Sequence, residues 1–149
     1  MRSSVSRYGL AAGVVTIALL AAMAARADGL QPGLWKVINK AEINGAPAQE
    51  GQNMRCLTPD DVADLSRTFS PVSRTTNSTC EQVEHESTPQ RLKWRLQCRG
   101  QLDMDVAGEF VFERPDHYSA TVVASSSMMG QVMQKVRTAI EGQWVGECK

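Results

Sequence analysis

The sequence predicts a mainly β protein: a single-domain, curved antiparallel sheet (a meander forming an incomplete barrel) with one short helix and two disulfides, after an N-terminal signal helix. Three observations predict this fold class. Apolar and polar residues alternate over long stretches in the second half of the chain, as in strands with one buried and one solvated face. The N-terminus has the composition of an export signal. All 4 cysteines follow that signal, which indicates disulfides.

The N-terminus has the parts of a secretory signal. Arg2 and Arg7 precede an uncharged run rich in Ala, Leu and Val from Gly9 to Ala25, and Ala25-Arg26-Ala27 matches a cleavage site. The run is shorter and smaller in side-chain size than the ~20 apolar residues of a spanning helix, and no second such run follows. We therefore expect cleavage after Ala27 and no stable membrane span in the mature protein, with a retained anchor as the alternative.

Cleavage divides the chain into a signal peptide, residues 1–27, and a single disulfide-stapled β-rich domain, residues 28–149, which is expected to be periplasmic or secreted. The domain is long enough for one hydrophobic core. The 16 basic residues of the whole chain less the three arginines of the signal leave 13, against 16 acidic residues, so the domain is 3 units negative. Because nucleic-acid binding usually requires a basic patch, no nucleic-acid partner is expected.

The first half of the domain predicts two strands and a helix. Gly33 to Ile43 has the β-branched and aromatic content of a strand, and turn residues follow it before a second strand near Gln52 to Leu57. Thr58 is a typical N-cap, proline suits the first helical position, and two aspartates follow, so a short helix is expected from Pro59 to about Leu65. Residues 66–78 contain many Ser and Thr and predict a loop.

The longest alternation runs from Leu102 to Glu113 and can be paired with its neighbours, because a one-residue slip would turn every apolar side chain to the wrong face. A three-residue loop, Arg99-Gly100-Gln101, gives these opposed pairs: Cys98 and Leu102, Leu96 and Met104, Trp94 and Val106 on the apolar face, and Arg95 with Asp105 and Arg91 with Glu109 on the other. A second such loop, Pro115-Asp116-His117, gives Phe112 opposite Ala120 and Phe110 opposite Val122. A meander is the simplest topology.

The segment from Ser125 to Glu141 is ambiguous. Its methionines and valines follow helical spacing, whereas its β-branched residues also alternate as in a strand. A strand through Arg137 to Val145 is favoured, and a helix over residues 128–137 is the alternative.

An even number of cysteines in an exported chain indicates two disulfides, with three possible connectivities. Zinc binding would expect close C-x-x-C pairs, which are absent. Folding the segment around Cys80 back on the strand that ends near Cys98 places these two residues directly opposite each other, within the separation that a disulfide accepts. We therefore predict Cys80–Cys98 and, from the remaining pair, Cys56–Cys148. The same register sets Glu84 on the apolar face.

Several landmarks occur together in this chain: GLW at Gly33 to Trp35, CLTPDD at Cys56 to Asp61, the lone Cys80, Cys98-Arg99-Gly100, and the closing GQWVGEC. In their order and spacing they resemble the bacterial domain-of-unknown-function family 3617 over nearly the whole mature chain. The resemblance implies a small exported, periplasmic protein. It brings no agreed activity and no catalytic residues.

No catalytic residues, metal site or cofactor are predicted. Nucleophilic catalysis needs an activated Ser or Cys with a base in reach, and the two histidines, His85 on the outer face of a strand and His117 in a turn, are expected to be exposed and structural. The acidic stripe of the long strand lacks the converging oxygens of a calcium loop. The methionines from Met128 to Met133 invite a Cu(I) hypothesis, but such spacing more often fills a core. We therefore expect no enzyme.

Three function classes remain, in this order: a module that binds a small apolar molecule, an envelope protein-interaction or assembly module without ligand or catalysis, and an enzyme. The apolar face of the meander must be covered, and a partly closed barrel can leave room for one small ligand beneath its cover. The expected pocket has Trp94, Met104, Phe110 and Phe112 as its floor, with Trp35 or Trp144 near the rim. The alternative is that the same residues pack as core.

Overall fold

A computed structural model describes residues 29–71 and 78–149. The predicted signal peptide with its cleavage site, and part of the predicted loop, lie outside the described residues. The described chain forms seven strands and two short helices: β1 (Gly33–Ile43), β2 (Ala46–Leu57), α1 (Pro59–Ala63), α2 (Leu65–Phe69), β3 (Ser78–Ser87), β4 (Arg91–Gly100), β5 (Asp103–Arg114), β6 (His117–Met128) and β7 (Gln131–Gly146). Within these two ranges, no helix has the length and apolar character needed to cross a membrane.

The seven strands form one antiparallel sheet in the order β2-β1-β7-β6-β5-β4-β3. The predicted meander is confirmed, since β3 to β7 are consecutive neighbours. The first hairpin joins the sheet through the pairing of β1 with β7. As a result β2 and β3, which follow each other in the chain, lie at opposite edges, and the connection between them carries α1 and α2 across one face.

We call the face that α1 and α2 cover the inner face, and it carries the hydrophobic core. The core residues are at most 7% exposed: Leu30, Trp35, Val37, Leu57, Phe69, Leu92, Trp94, Phe110, Phe112, Tyr118 and Ala120. Phe69 of α2 enters the aromatic part of this cluster, with its ring centroid 5.1 Å from those of Phe110 and Tyr118. Tilted aromatic pairs at such distances add to the stabilisation from burial. The single aromatic residue of α2 thus anchors that helix to the sheet.

α1 begins as predicted, and the loop prediction is wrong over residues 66–69, which belong to α2. The Thr58 hydroxyl accepts the backbone N–H of Asp61 at 3.2 Å, and the Asp61 carboxylate accepts the backbone N–H of Thr58 at 2.8 Å, forming a capping box. A second cap follows, because the Asp64 carboxylate accepts the backbone N–H of Arg67 at 2.9 Å and starts α2 within the predicted loop. This cap and the buried Phe69 outweigh the loop-like composition.

Two strands are longer than predicted. Only Asn44 and Gly45, both with positive φ, form the turn after β1, so β2 begins at Ala46. The ambiguous segment forms the end of β6 and, from Gln131 onward, β7. The helical alternative over residues 128–137 is therefore wrong. β7 pairs with β1 on one side and β6 on the other, so hydrogen bonds to two neighbours outweigh its weak helical spacing.

The predicted strand pairs have the right faces and the wrong register. Trp94 lies opposite Gly108, two residues from its predicted partner, Val106. The shift arises because five residues, 99–103, rather than the predicted three separate Cys98 from Met104, the last opposed pair of β4 and β5. Phe110 lies opposite Ala120, again a shift of two, because a bulge precedes the turn from β5 to β6. An even shift keeps each apolar residue on its predicted face.

The predicted cross-strand ion pairs form in spite of this shift. Nη2 of Arg95 lies 2.5 Å from a carboxylate oxygen of Asp105, and Nη2 of Arg91 lies 2.5 Å from one of Glu109. Both pairs join diagonal neighbours rather than directly opposed residues. The hydrogen bonds from the Arg95 guanidinium lower the pKa of the Asp105 carboxyl below its ordinary value.

A bulge in β3 corrects the predictions for Glu84 and His85. The extra residue, Val83, turns Glu84 to the outer face, where its carboxylate lies 2.7 Å from the Lys93 ammonium. The same step moves His85 opposite Trp94 on the inner face, whereas the outer face was predicted. The bulge therefore replaces the carboxylate that the straight register placed beside Trp94 by an imidazole.

Both predicted disulfides are present. Cys80–Cys98 joins directly opposed residues of β3 and β4. Cys56–Cys148 joins the end of β2 to the chain just after β7, and β1 lies between these two strands. The second disulfide therefore fixes the last residues of the chain to the first hairpin.

Contacts of α2 with strands near both edges show that the sheet is curled. Nη2 of Arg55, on β2, donates to the carbonyl of Thr68 at 3.2 Å, and Nε1 of Trp94, on β4, donates to the carbonyl of Phe69 at 3.1 Å. In a flat sheet, β2 and β4 would be five strand spacings apart, about 24 Å. Since the two carbonyls belong to consecutive residues, the sheet must wrap around α2. The predicted curved, open antiparallel sheet is confirmed.

Candidate binding cleft

A cleft of about 430 Å³ opens between the end of α2 and the part of the inner face that the helices leave uncovered. We call that part the open half. Its half-buried apolar residues on β5, β6 and β7 are Met104, Val106, Val122, Ala124, Val136 and Ile140, and Ser126 and Thr138 are half-buried polar residues of the same face. Val106, Val122 and Ile140 form the apolar wall of the cleft, and Phe69, Ser70 and Pro71 line the side nearest the helix. Such a volume suits a small-molecule site.

The fold fixes the helical side of the cleft through Arg55 and Trp94. Besides its hydrogen bond to the Thr68 carbonyl, the Arg55 guanidinium carbon lies 5.3 Å from the centroid of the Phe69 ring, within the range of a cation–π interaction. Trp94 holds the carbonyl of Phe69 from the opposite side. The end of α2 is therefore held on both flanks.

The polar part of the lining comes from β1, β2 and the residues at the end of α2. Asn39, Asn53 and Arg55 contribute amide and guanidinium groups. The Ser70 hydroxyl oxygen is buried and has no hydrogen-bond partner among the described residues. A buried polar group without a partner costs about 1 to 3 kcal/mol.

Tyr118 brings a neutral hydroxyl to the same cleft. Burial raises the pKa of the Tyr118 hydroxyl, and the positive charge of Arg55 acts in the opposite direction. The phenol therefore stays protonated at neutral pH and can donate a hydrogen bond.

A smaller cleft of about 210 Å³ continues along the open half, and Leu102, Met104, Ala124 and Val136 are among its lining residues. Val106 of the first cleft lies directly opposite Ala124 of the second, so the two clefts adjoin on one sheet face.

A family model described as "Protein of unknown function (DUF3617)" matches residues 30–148. The chain belongs to the DUF3617 family. The resemblance inferred from the sequence landmarks is thereby confirmed. Because the family has no assigned activity, it indicates no role for the cleft. Neither a curated protein nor a solved structure matches the chain.

Three of the landmarks that led to DUF3617, GLW, CLTPDD and GQWVGEC, meet at one end of the sheet, whereas Cys80 and Cys98-Arg99-Gly100 lie at the other. A Cβ atom on Gly33 would overlap the Trp144 indole, whose Nε1 donates to the carbonyl of Pro32 at 3.1 Å. Cys56 and Cys148 close the same end. These motifs therefore explain how the ends of the domain are fastened, and none of them lines the cleft.

The expected pocket residues of this DUF3617 chain are divided between core and cleft. Trp94 and Phe110 line the main cleft, and Met104 lines the smaller one. The others lie elsewhere: Phe112 is a buried core residue, Trp35 is fully buried beside Tyr118 rather than at a rim, and Trp144 packs on Gly33. Sequence reasoning missed Arg55, Asn39, Asn53 and Ser70, because only the wrapping of the sheet brings their segments together.

Ser66 and His85 form a pair that the sequence did not predict. The Ser66 hydroxyl oxygen lies 2.7 Å from Nε2 of His85, a distance at which a base could activate a nucleophile. Within the described ranges, however, the structure gives His85 no third group to orient its ring, as a catalytic triad requires. Ser66 lies on α2 and His85 on β3, so the hydrogen bond tethers the helix to the sheet edge.

The methionine segment forms an exposed hairpin tip rather than part of the core. Met129 and Gly130, both with positive φ, form the turn between β6 and β7, and Met129 is 98% exposed. Val132 and Met133 beside it are also exposed. Among the described residues, no three His, Cys, Asp or Glu side chains form a group that could hold a metal ion.

Proposed function

We propose that this protein is an exported, non-catalytic module that binds a small apolar ligand in the main cleft. The observation that carries the proposal is the cleft itself: an apolar wall on the open half faces a helix end that is held on both flanks. Ligand sites are commonly such concave, mostly apolar clefts with a few polar groups.

Export supports this function and is part of the proposal. Two disulfides and no free cysteine among the described residues fit an oxidising compartment. Because the N-terminus has the pattern of a secretory signal, the proposal includes cleavage after Ala27. The intact mass of the protein recovered from cells tests this part, because a product that keeps residues 1–27 would contradict it.

Two neighbouring valines on β6 provide a matched test of binding. Val122 faces the cleft and Val123 faces outward, and both are half-buried. We expect the uncharged dye N-phenylnaphthylamine to gain fluorescence with the wild-type protein and to do so with Val123→Phe. Val122→Phe fills the cleft and should abolish the gain while the protein remains folded by circular dichroism. Equal binding by the two variants would reject the cleft as the site.

A second candidate function rests on the hairpin tip. Exposed methionines and a valine at the turn from β6 to β7 form an apolar surface of the kind that marks protein contacts. An envelope protein-interaction or assembly module would use this tip and leave the cleft empty. Failure of the wild-type protein to bind the dye or extracted envelope lipids would favour this candidate, and a photo-crosslinking residue at position 129 would then identify the contact in intact cells.

A further inference from the structure

We infer that the ligand is an elongated amphiphile with an anionic head group, bound with its head at Arg55 and its apolar chain along the open half toward Met104. This inference rests on the proposed function, since it names the class of molecule that the same cleft takes.

The charge of the cleft is the first argument. Arg55 is the one charged residue among those described that line the main cleft. Within residues 29–71 and 78–149 no carboxylate forms an ion pair with Arg55. The charge of Arg55 helps to lower the pKa of the Asp61 carboxyl, but that carboxylate already accepts hydrogen bonds from Thr58. One Nη2 hydrogen bond to a carbonyl leaves further N–H groups of the guanidinium available. A guanidinium fork matches a carboxylate or phosphate better than it matches a neutral head.

The neighbouring polar groups support the same head position. The Ser70 hydroxyl is buried without a partner among the described residues, and the side-chain amides of Asn39 and Asn53 complete the polar lining. Each of these groups can donate a hydrogen bond to an oxygen acceptor. An anionic oxygen bound at Arg55 would therefore have the amide groups of Asn39 and Asn53 as further donors in the same lining.

The shape of the remaining surface fixes the chain direction. From Tyr118 at one end to Ser126 at the other, eight residue steps along β6 cover about 27 Å. Tyr118 and Val122 line the main cleft, whereas Ala124 and Ser126 line the smaller one. Beyond Val122, Leu102, Met104 and Val136 supply apolar lining beside β6, and Gln134 and Ser126 are polar members of the same lining. The path is therefore long, leads away from Arg55 and is apolar as far as Met104 and Val136.

Three probes with the same chain and different heads test the inference: lauric acid, dodecyl phosphate and dodecanol, each below its aggregation concentration in calorimetric titrations. We expect at least one of the two anions to bind the wild-type protein about 10- to 100-fold more tightly than dodecanol, the ratio that a charged hydrogen bond gives. Tighter binding of lauric acid assigns a carboxylate head, and tighter binding of dodecyl phosphate assigns a phosphate head.

Arg55→Gln should reduce this ratio to near unity by weakening the anions and leaving dodecanol unchanged. Arg137→Gln is the matched control, because Arg137 is an exposed arginine on β7 that pairs across the outer face with Val123. Should Arg55→Gln fail to fold, the ratio measured with the wild-type protein decides by itself. Equal affinity of the wild type for all three probes, or equal losses in Arg55→Gln and Arg137→Gln, would overturn the anionic head and leave the proposed function standing. No binding of any probe would reject the proposed function itself.

Discussion

Gly108→Ala should destabilise the protein by about 2 to 4 kcal/mol, although alanine is normally the better residue within a strand. A Cβ atom at position 108 would lie within 2.5 Å of Cε2 and Cζ2 of Trp94. The Trp94 ring is 4% exposed, and its Nε1 donates to the carbonyl of Phe69. Relieving the overlap costs about 1 to 3 kcal/mol as overpacking, and losing the hydrogen bond adds about 1 kcal/mol.

Urea unfolding followed by circular dichroism measures this loss, with Gly51→Ala as the control. Gly51 also lies within a strand, but a Cβ atom there would meet nothing within 4 Å, so its free energy of unfolding should stay within about 0.5 kcal/mol of wild type. Because Trp94 also lines the main cleft, Gly108→Ala should weaken dye binding as well.

A second substitution tests the cause. Trp94→Phe removes the atoms that Gly108→Ala would meet, so the double variant should be more stable than the sum of the two single losses implies, by about 1 kcal/mol or more. Additive losses, or a Gly108→Ala protein as stable as wild type, would refute the reasoning from close contact.

Three further predictions concern the fastenings of the fold. Replacing Cys56 and Cys148 by Ala should lower the free energy of unfolding by roughly 4 kcal/mol, because the bond closes a loop with a sequence separation of 92; a loss under about 1 kcal/mol in denaturant titration would contradict the chain-entropy account. The lowered pKa of Asp105 contributes stability that is present above its ordinary pKa of 3.8 and lost as pH falls through the folded value. Urea midpoints measured from neutral to strongly acidic pH should therefore decline less steeply in Asp105→Asn than in wild type. Ser66→Ala should cost about 1 kcal/mol from the lost bond to His85 and leave hydrolysis of nitrophenyl esters at the buffer rate; hydrolysis by the wild type that depends on Ser66 would show a catalytic pair instead.

The sequence was sufficient for those features that depend on local pattern. Strict alternation assigned the correct face to Trp94 and Phe110, and a face survives any even shift of register. The Cys80–Cys98 pair was also accessible, because the predicted register of β3 and β4 holds on the side of the Val83 bulge away from the turn. The N-cap at Thr58 is equally local, since it needs three neighbouring residues only.

The candidate site was much less accessible, because it depends on the path of the chain between the two edges of the sheet. No local sequence pattern shows that β1 pairs with β7. Because of this pairing, β2 and β3, which follow each other in the sequence, become the two edge strands of the sheet. Arg55 reaches the cleft only because α2 must then cross the inner face. The Ser66–His85 contact has the same origin and also requires the bulge that turns His85 inward.

Met104→Ala, compared with Leu92→Ala, separates an open wall from a packed core on one sheet face. Leu92 is fully buried, so its truncation should cost about 2 to 5 kcal/mol. Met104 is half-buried at the smaller cleft and has fewer contacts to lose, so its truncation should cost about 1 kcal/mol or less. A saturating ligand adds stability, about 2.7 kcal/mol at a hundred times its dissociation constant. At equal lauric acid concentration, Met104→Ala should gain less than wild type, because the chain loses a contact along its path. Urea unfolding of the wild type and both variants, with and without lauric acid, gives the six free energies that this comparison needs. Equal losses at the two positions together with equal ligand gains would mean that the open half is packed core, and the ligand path toward Met104 would have to be abandoned.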